Sequence, residues 1–215
     1  MKKPQAIIWD FDGVLIDSEI LQIKAEIETA RKFGIPLTPE IAEEYIGYKM
    51  QDYFSMLVRR FHINVPVFEI IQEHSKTLYH YYKEIFPLSP HVKEVLKELG
   101  SKYRQGIATN RERELALASL RRFGLVNIFQ AMVFGEDIDH GKPDPEPYIK
   151  VAELLCVEPE LCVAVEDSPL GFQSAKRAGM LVVGRKAEHN RSFDFSQADY
   201  VIVDLREILS ILKGI

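Results

Sequence analysis

The chain opens on a short apolar run, Ala6 to Trp9, that stops at Asp10. A continuous apolar run of this length reads as a buried strand. From Ser18 to about Phe86 the pattern changes to helical spacing. Ser18 is expected to cap a helix running from Glu19 to about Phe33, closed by Gly34. Thr38-Pro39-Glu40 predicts a second start, with proline in the first turn. Gly47 interrupts, and the spacing of Phe54, Leu57, Val58 and Phe61 predicts a helix over Gln51 to Phe61. Pro66 opens a further helix toward Tyr82. No stretch of this block reads as a strand.

From Pro87 onward, short apolar runs alternate with helical ones. Strands are expected near Gln105 to Thr109, Ala131 to Phe134, Leu161 to Val165, Met180 to Val183 and Tyr200 to Val203. Helices are expected from Ser89-Pro90-His91 to Gly100, Glu112 to Phe123, Pro147 to Leu155, Pro169 to Ala178 and Leu205 to Leu212. Fully apolar short strands alternating with helices predict an α/β fold with a parallel sheet covered on both faces. The first strand belongs with the later ones. The helical block is therefore an insertion: residues 1–17 and 87–215 form one α/β domain, and residues 18–86 a second, helical one. The polar stretch Lys186 to Ala198 predicts no regular structure.

Composition narrows the class. The chain has 215 residues, 47% of them hydrophobic and 27% charged, an ordinary globular balance. A formal charge of -5 gives no field to attract nucleic acid or an anionic membrane. No apolar run is long enough to span a bilayer, and the basic start Met1-Lys2-Lys3-Pro4 leads into a run too short for a signal peptide. Cys156 and Cys162 form neither a metal spacing nor a disulfide framework, so a reducing cytoplasm is the expected compartment. The six histidines are scattered and read as structural or exposed.

Chemistry concentrates where apolar runs end. In extended chain, residues i and i+2 point to the same side, so Asp10 and Asp12 aim at one spot beyond the first strand. Two carboxylates there repel, and either a cation lies between them or one holds a proton. A solvated Asp-x-Asp-Gly turn is the alternative on these residues alone. Thr109-Asn110 ends a second strand before a helix, either as a cap or as an anion site at a helix N-terminus. Glu166-Asp167 ends a third before Ser168, as cap or as ligands. In open parallel sheets, ligands bind beyond the carboxyl ends of strands, so the three ends are expected to converge.

The longer pattern Asp10-x-Asp12-Gly13-Val14-x-x-Asp17-Ser18 resembles motif I of the haloacid dehalogenase (HAD) superfamily of phosphohydrolases. Thr109 resembles motif II, Gly141-Lys142-Pro143-x-Pro145 motif III, and Val165-Glu166-Asp167-Ser168-x-x-Gly171 motif IV, all in family order. The resemblance covers essentially the whole chain. It implies a Rossmann-like doubly wound core with an α-helical cap domain inserted after the first strand. It also implies Asp10 as nucleophile and Asp12 as acid/base. Thr109, with Gly13 and Asn110, would bind the phosphoryl group, and Lys142 would neutralise it. Mg²⁺ would be held by Asp10, the Asp12 carbonyl and Asp167, with Glu166 direct or through water. An oxygen-only set suits that hard cation.

Substrate preference is expected from the cap and the flank of motif II. Lys49 and Lys76 are candidate cap contacts, and Arg111 and Arg113 candidates for a second anionic group; each also reads as a solvated charge. The nearest subgroup resembles β-phosphoglucomutase. Its mutases carry Gly-x-Ser-Arg in the cap, where this chain has Lys49-Met50, and a histidine early in the first cap helix, where it has Leu21-Gln22. A phosphatase acting on a small phosphorylated sugar or similar metabolite is therefore expected, as a monomer or weak homodimer. A phosphomutase and a non-catalytic binding protein of the same fold are the alternatives.

Overall fold

The computed structural model describes residues 3–45, 48–82 and 87–215. The Gly47 break and the expected end of the helical block at Phe86 lie outside the described residues.

The apolar run forms strand β1 (Ala6–Trp9), every residue of it buried. Five more strands follow: β2 (Arg104–Ala108), β3 (Ala131–Val133), β4 (Cys162–Glu166), β5 (Leu181–Arg185) and β6 (Tyr200–Ile202). All pairings are parallel, in the order β3-β2-β1-β4-β5-β6. β1 thus lies between β2 and β4, with Trp9 level with Ile107 on one side and Val165 on the other. The chain leaves β1 in one direction along the sheet and returns in the other, so the crevice beyond its carboxyl end is the switch point of a doubly wound fold.

Alternation along the strands supplies two buried faces. Ile7, Trp9, Ile107, Val163 and Val165 pack with helices α5 (Val92–Gly100), α6 (Arg113–Phe123) and α9 (Glu207–Gly214). Ala6, Ile8, Ala108, Ala164 and Val182 pack with α7 (Glu146–Leu154) and α8 (Pro169–Arg177). Trp9 is fully buried, so its indole N–H needs a partner. It donates to Gln105 Oε1 at 3.0 Å, and Gln105 Nε2 donates on to the Leu96 carbonyl at 2.9 Å.

Between β1 and α5 the described chain is helical: α1 (Glu19–Lys32), α2 (Pro39–Glu43), α3 (Met50–Arg60) and α4 (Val67–Tyr82). These helices share their own apolar cluster, with Tyr53, Phe54, Leu57 and Ile70 buried in it. Thr38 caps α2 by accepting from Ile41 N–H, as its position predicts. Ser18 precedes α1 but does not cap it with its side chain; its hydroxyl donates to Asp12 Oδ1 instead. The crossings into and out of the block run side by side, since Ile16 bridges Leu88 and Asp17 N–H donates to the Pro87 carbonyl. Asp17 is exposed there. No described helix is long and apolar enough to cross a membrane, and both cysteines are free.

Candidate active site

Three strand ends meet because β1 is flanked by β2 and β4. Asp10 follows β1 and its N–H continues the ladder to the Val165 carbonyl. Thr109 follows β2, and its N–H continues to the Val133 carbonyl. Glu166 ends β4, and Asp167 follows it. Asp10, Thr109, Glu166 and Asp167 are all buried.

Oxygens of Asp10, Glu166 and Asp167 lie within 4.8 Å of one another. Lys142 arrives from the loop before α7. Its ammonium stands 2.6 Å from Asp10 Oδ1, contacts Glu166 Oε1, and lies 5.1 Å from the centre of the Tyr148 ring. Tyr148 O–H donates to the same Glu166 oxygen at 2.7 Å. Asn110 Oδ1 accepts from Lys142 N–H at 3.2 Å and so holds that loop. Ser168 caps α8 through Gly171 N–H at 3.1 Å, which leaves both neighbouring acids for the cleft. Two glycines make room. At Gly13, φ is +68° and a Cβ would collide with Asp167 Oδ2; at Gly171 a Cβ would collide with the Glu166 carboxyl.

Three buried carboxylates face one ammonium, so two negative charges stand in excess. The Asp10 and Asp167 carboxyls are accordingly raised well above the ordinary range, by burial first and then by the charge of Glu166. Burial alone would lower Lys142, but the charges of Asp10 and Glu166 outweigh it and hold the ammonium on. Hard oxygen donors with that excess charge fit a divalent cation.

The other predicted residues separate. Asp12 is in the cleft, where Arg111 Nε and Ser18 Oγ both donate to its carboxylate. Arg111 is buried and also donates to Gln22 on α1. Its N–H donates to Thr109 Oγ at 3.0 Å. Lys49 points its ammonium to the Ile138 carbonyl at 2.6 Å, across to the sheet domain's loop. Lys76 is exposed, with Glu73 at 3.4 Å. Arg113 is half-exposed on Asp137 and stacks 4.5 Å from the Phe134 ring. Arg111 is thus in the cleft, while Lys49, Lys76 and Arg113 engage other groups.

Two histidines depart from the structural-or-exposed expectation. His189 Nε2 lies 2.7 Å from Asp167 Oδ2, and Asn190 donates to the Asp167 carbonyl at 2.8 Å. His74, on α4, lines the cleft with Gln22, Tyr48, Met50 and Leu78 on the helical side. The 186–198 loop has no periodicity to read. Its place was nevertheless predictable, because it leaves β5, the neighbour of β4, at the carboxyl end of the sheet.

Comparison with known proteins gives the family. A family model described as haloacid dehalogenase-like hydrolase matches residues 7–184. A phosphorylated carbohydrates phosphatase from Thermotoga maritima is 33% identical over 214 residues, covering 98% of this chain and 99% of its own length. A β-phosphoglucomutase from Bacillus subtilis is 26% identical, covering 84% of this chain and 82% of its own. The crystal structure of CbbY from Rhodobacter sphaeroides in complex with phosphate superposes with a TM-score of 0.87 at 25% identity, covering 98% of this chain and 99% of that one. The chain belongs to the haloacid dehalogenase-like hydrolase family, as a phosphatase of its phosphoglucomutase-like branch.

Proposed function

We propose that the protein is a Mg²⁺-dependent phosphatase that hydrolyses a small phosphorylated sugar or polyol through an aspartyl-phosphate. The observation that carries this reading is the meeting of Asp10, Thr109, Lys142 and Asp167, from four distant segments, in one cleft. The Thermotoga relative acts on phosphorylated carbohydrates by its name, which supports the substrate class.

Asp10 attacks phosphorus, and the bond from phosphorus to the ester oxygen breaks. Asp12 gives its proton to the departing oxygen and then takes one from the water that opens the acyl phosphate. Lys142 offsets the charge of an anion meeting an anion. Thr109 and Asn110 hold phosphoryl oxygens, and Gly13 lets the backbone come close. Asp10, Asp167 and the Asp12 carbonyl, with Glu166 direct or through water, would hold Mg²⁺, which would supply the further charge neutralisation that phosphoryl transfer needs. Residues 1–17 and 87–215 act as the catalytic core, and residues 18–86 as a cap that excludes water from the reaction. The protein acts as a monomer or weak homodimer.

Phosphate release from p-nitrophenyl phosphate and from a panel of phosphorylated metabolites, with Mg²⁺ and with excess chelator, tests the reading. We expect turnover only with the metal, and a loss of about 10³-fold or more in Asp10→Asn. Turnover undiminished in that variant or in chelator would overturn the scheme. A phosphomutase would instead convert a sugar phosphate into its isomer once primed with a bisphosphate.

A further inference from the structure

His74 is almost completely buried, yet its Nε2 has no hydrogen-bond partner among the described residues. The opposite ring nitrogen is engaged. Nδ1 lies 3.4 Å from Thr29 Oγ on α1, and the Ala25 carbonyl, one turn earlier, accepts from the ring. A carbonyl only accepts. With Nε2 partnerless, the proton on Nδ1 is the one donated, so Nε2 carries a lone pair.

The ring is also neutral at working pH. Burial first, and the nearby Arg111 charge second, lower its pKa to about 3. Nε2 is therefore an acceptor and not a donor. A buried acceptor left unpaired is costly, and such groups in native proteins call for an explanation. This one belongs to a residue that lines the same cleft as Asp10, Thr109 and Lys142. Of the other polar side chains on the cleft's helical side, Gln22 already accepts from Arg111 and donates to Glu26, and Tyr48 is the second. Leu78 and Leu115 supply apolar wall beside it.

We propose that His74 Nε2 is a specificity-determining acceptor for a hydroxyl on the substrate's leaving group, so that the cleft selects hydroxyl-bearing phosphate esters. This rests on the phosphatase reading above. A neutral imidazole donates nothing through a lone pair, so a carboxylate or a second phosphate at this spot gains no bond, whereas an alcohol O–H does. The desolvation of Nε2 is already complete before substrate arrives. An ester lacking that hydroxyl leaves the acceptor as it was and gains no bond, so the hydroxyl-bearing ester is preferred by the worth of that hydrogen bond.

The test measures kcat/KM for the full-length protein with Mg²⁺ on hexose and hexitol monophosphates and their singly deoxygenated analogues. For the best substrate, we expect removal of one particular hydroxyl to cost about tenfold or more. In His74→Phe that ratio should fall to near one, and in His74→Gln, which keeps an acceptor, it should be partly restored. If His74→Phe does not fold, the same series on His74→Gln decides, since an unchanged ratio there overturns the assignment. Hydrolysis without discrimination at any single hydroxyl overturns the His74 assignment alone. A ratio that survives in His74→Phe does the same. Release of phosphate from no ester, p-nitrophenyl phosphate included, overturns the phosphatase reading itself.

Discussion

Gly13 sits at φ +68°, in the left-handed region, directly against Asp167 Oδ2 and 3.1 Å from His189 Nε2, measured from where a Cβ would stand. A side chain there is strained twice, by its own backbone and by a carboxylate that has no room to retreat. Gly13→Ala should destabilise the protein by about 1–3 kcal/mol and should lower kcat/KM by about 10²-fold or more, since a displacement of about 1 Å at a reacting group costs that much. Denaturant unfolding and steady-state kinetics measure the two together; an alanine variant of full activity would mean that Asp167 can move without consequence. At this scale the sequence was most legible where a residue's place follows from its strand. Asp10, Thr109, Glu166 and Asp167 sit at or just past strand ends, and the sheet order does the rest. His74 and His189 were opaque because a histidine has no spacing of its own. What matters there is which ring nitrogen lacks or finds a partner, and that is a property of the packed protein.

Helix α1 shows how an element inherits constraints from the site it borders. Its bounds were read to within a residue, but its cap was not. Ser18 is the right residue type in the right place, yet its hydroxyl goes to Asp12, because a carboxylate is a stronger acceptor than the alternatives. Two turns further on, Glu26 is buried between α1 and α3, accepting from Gln22 at 3.1 Å and Tyr53 O–H at 2.7 Å. Burial is the main cause that lifts its carboxyl from 4.5 to about 7, against the hydrogen bonds that pull it down. The folded state therefore holds this proton more tightly than the unfolded chain does. Stability from this group is full below the unfolded value and is lost as pH rises from about 4.5 through about 7. The gap corresponds to about 3 kcal/mol. Glu26→Gln removes the titration and keeps the shape. Urea unfolding at pH 5 and pH 8 should show the parent losing about 2.5 kcal/mol more than the variant, and equal losses would show that Glu26 does not titrate in this range.

On the scale of the whole molecule, the meeting of the Lys142 loop with the strand ends was expected only from the family resemblance. The alternation of strands and helices could be read from the chain, because it follows from local periodicity. How the helical block is tied to the sheet could not, and Lys49 is the instructive case. Its charge marked it as a candidate contact to substrate. Its ammonium instead donates to the Ile138 carbonyl at 2.6 Å, and its stem lies so close to Gly141 that a Cβ there would meet Lys49 Cγ at 2.6 Å. Gly141 directly precedes Lys142, so this clasp joins the helical block to the loop that carries the site's ammonium. Opening it leaves the chemistry intact but lowers the fraction of protein in the closed form. The apparent affinity for every substrate then falls by the same factor. Lys49→Ala should raise KM by about threefold to tenfold, as expected for loss of about 1 kcal/mol from one charge-assisted hydrogen bond. The factor should be alike for p-nitrophenyl phosphate and for sugar phosphates. A contact to substrate predicts the opposite pattern, with the sugar phosphates weakened and the nitrophenyl ester untouched. Parallel KM measurements on the two classes therefore decide whether Lys49 serves the closure of the cleft or the recognition of what enters it.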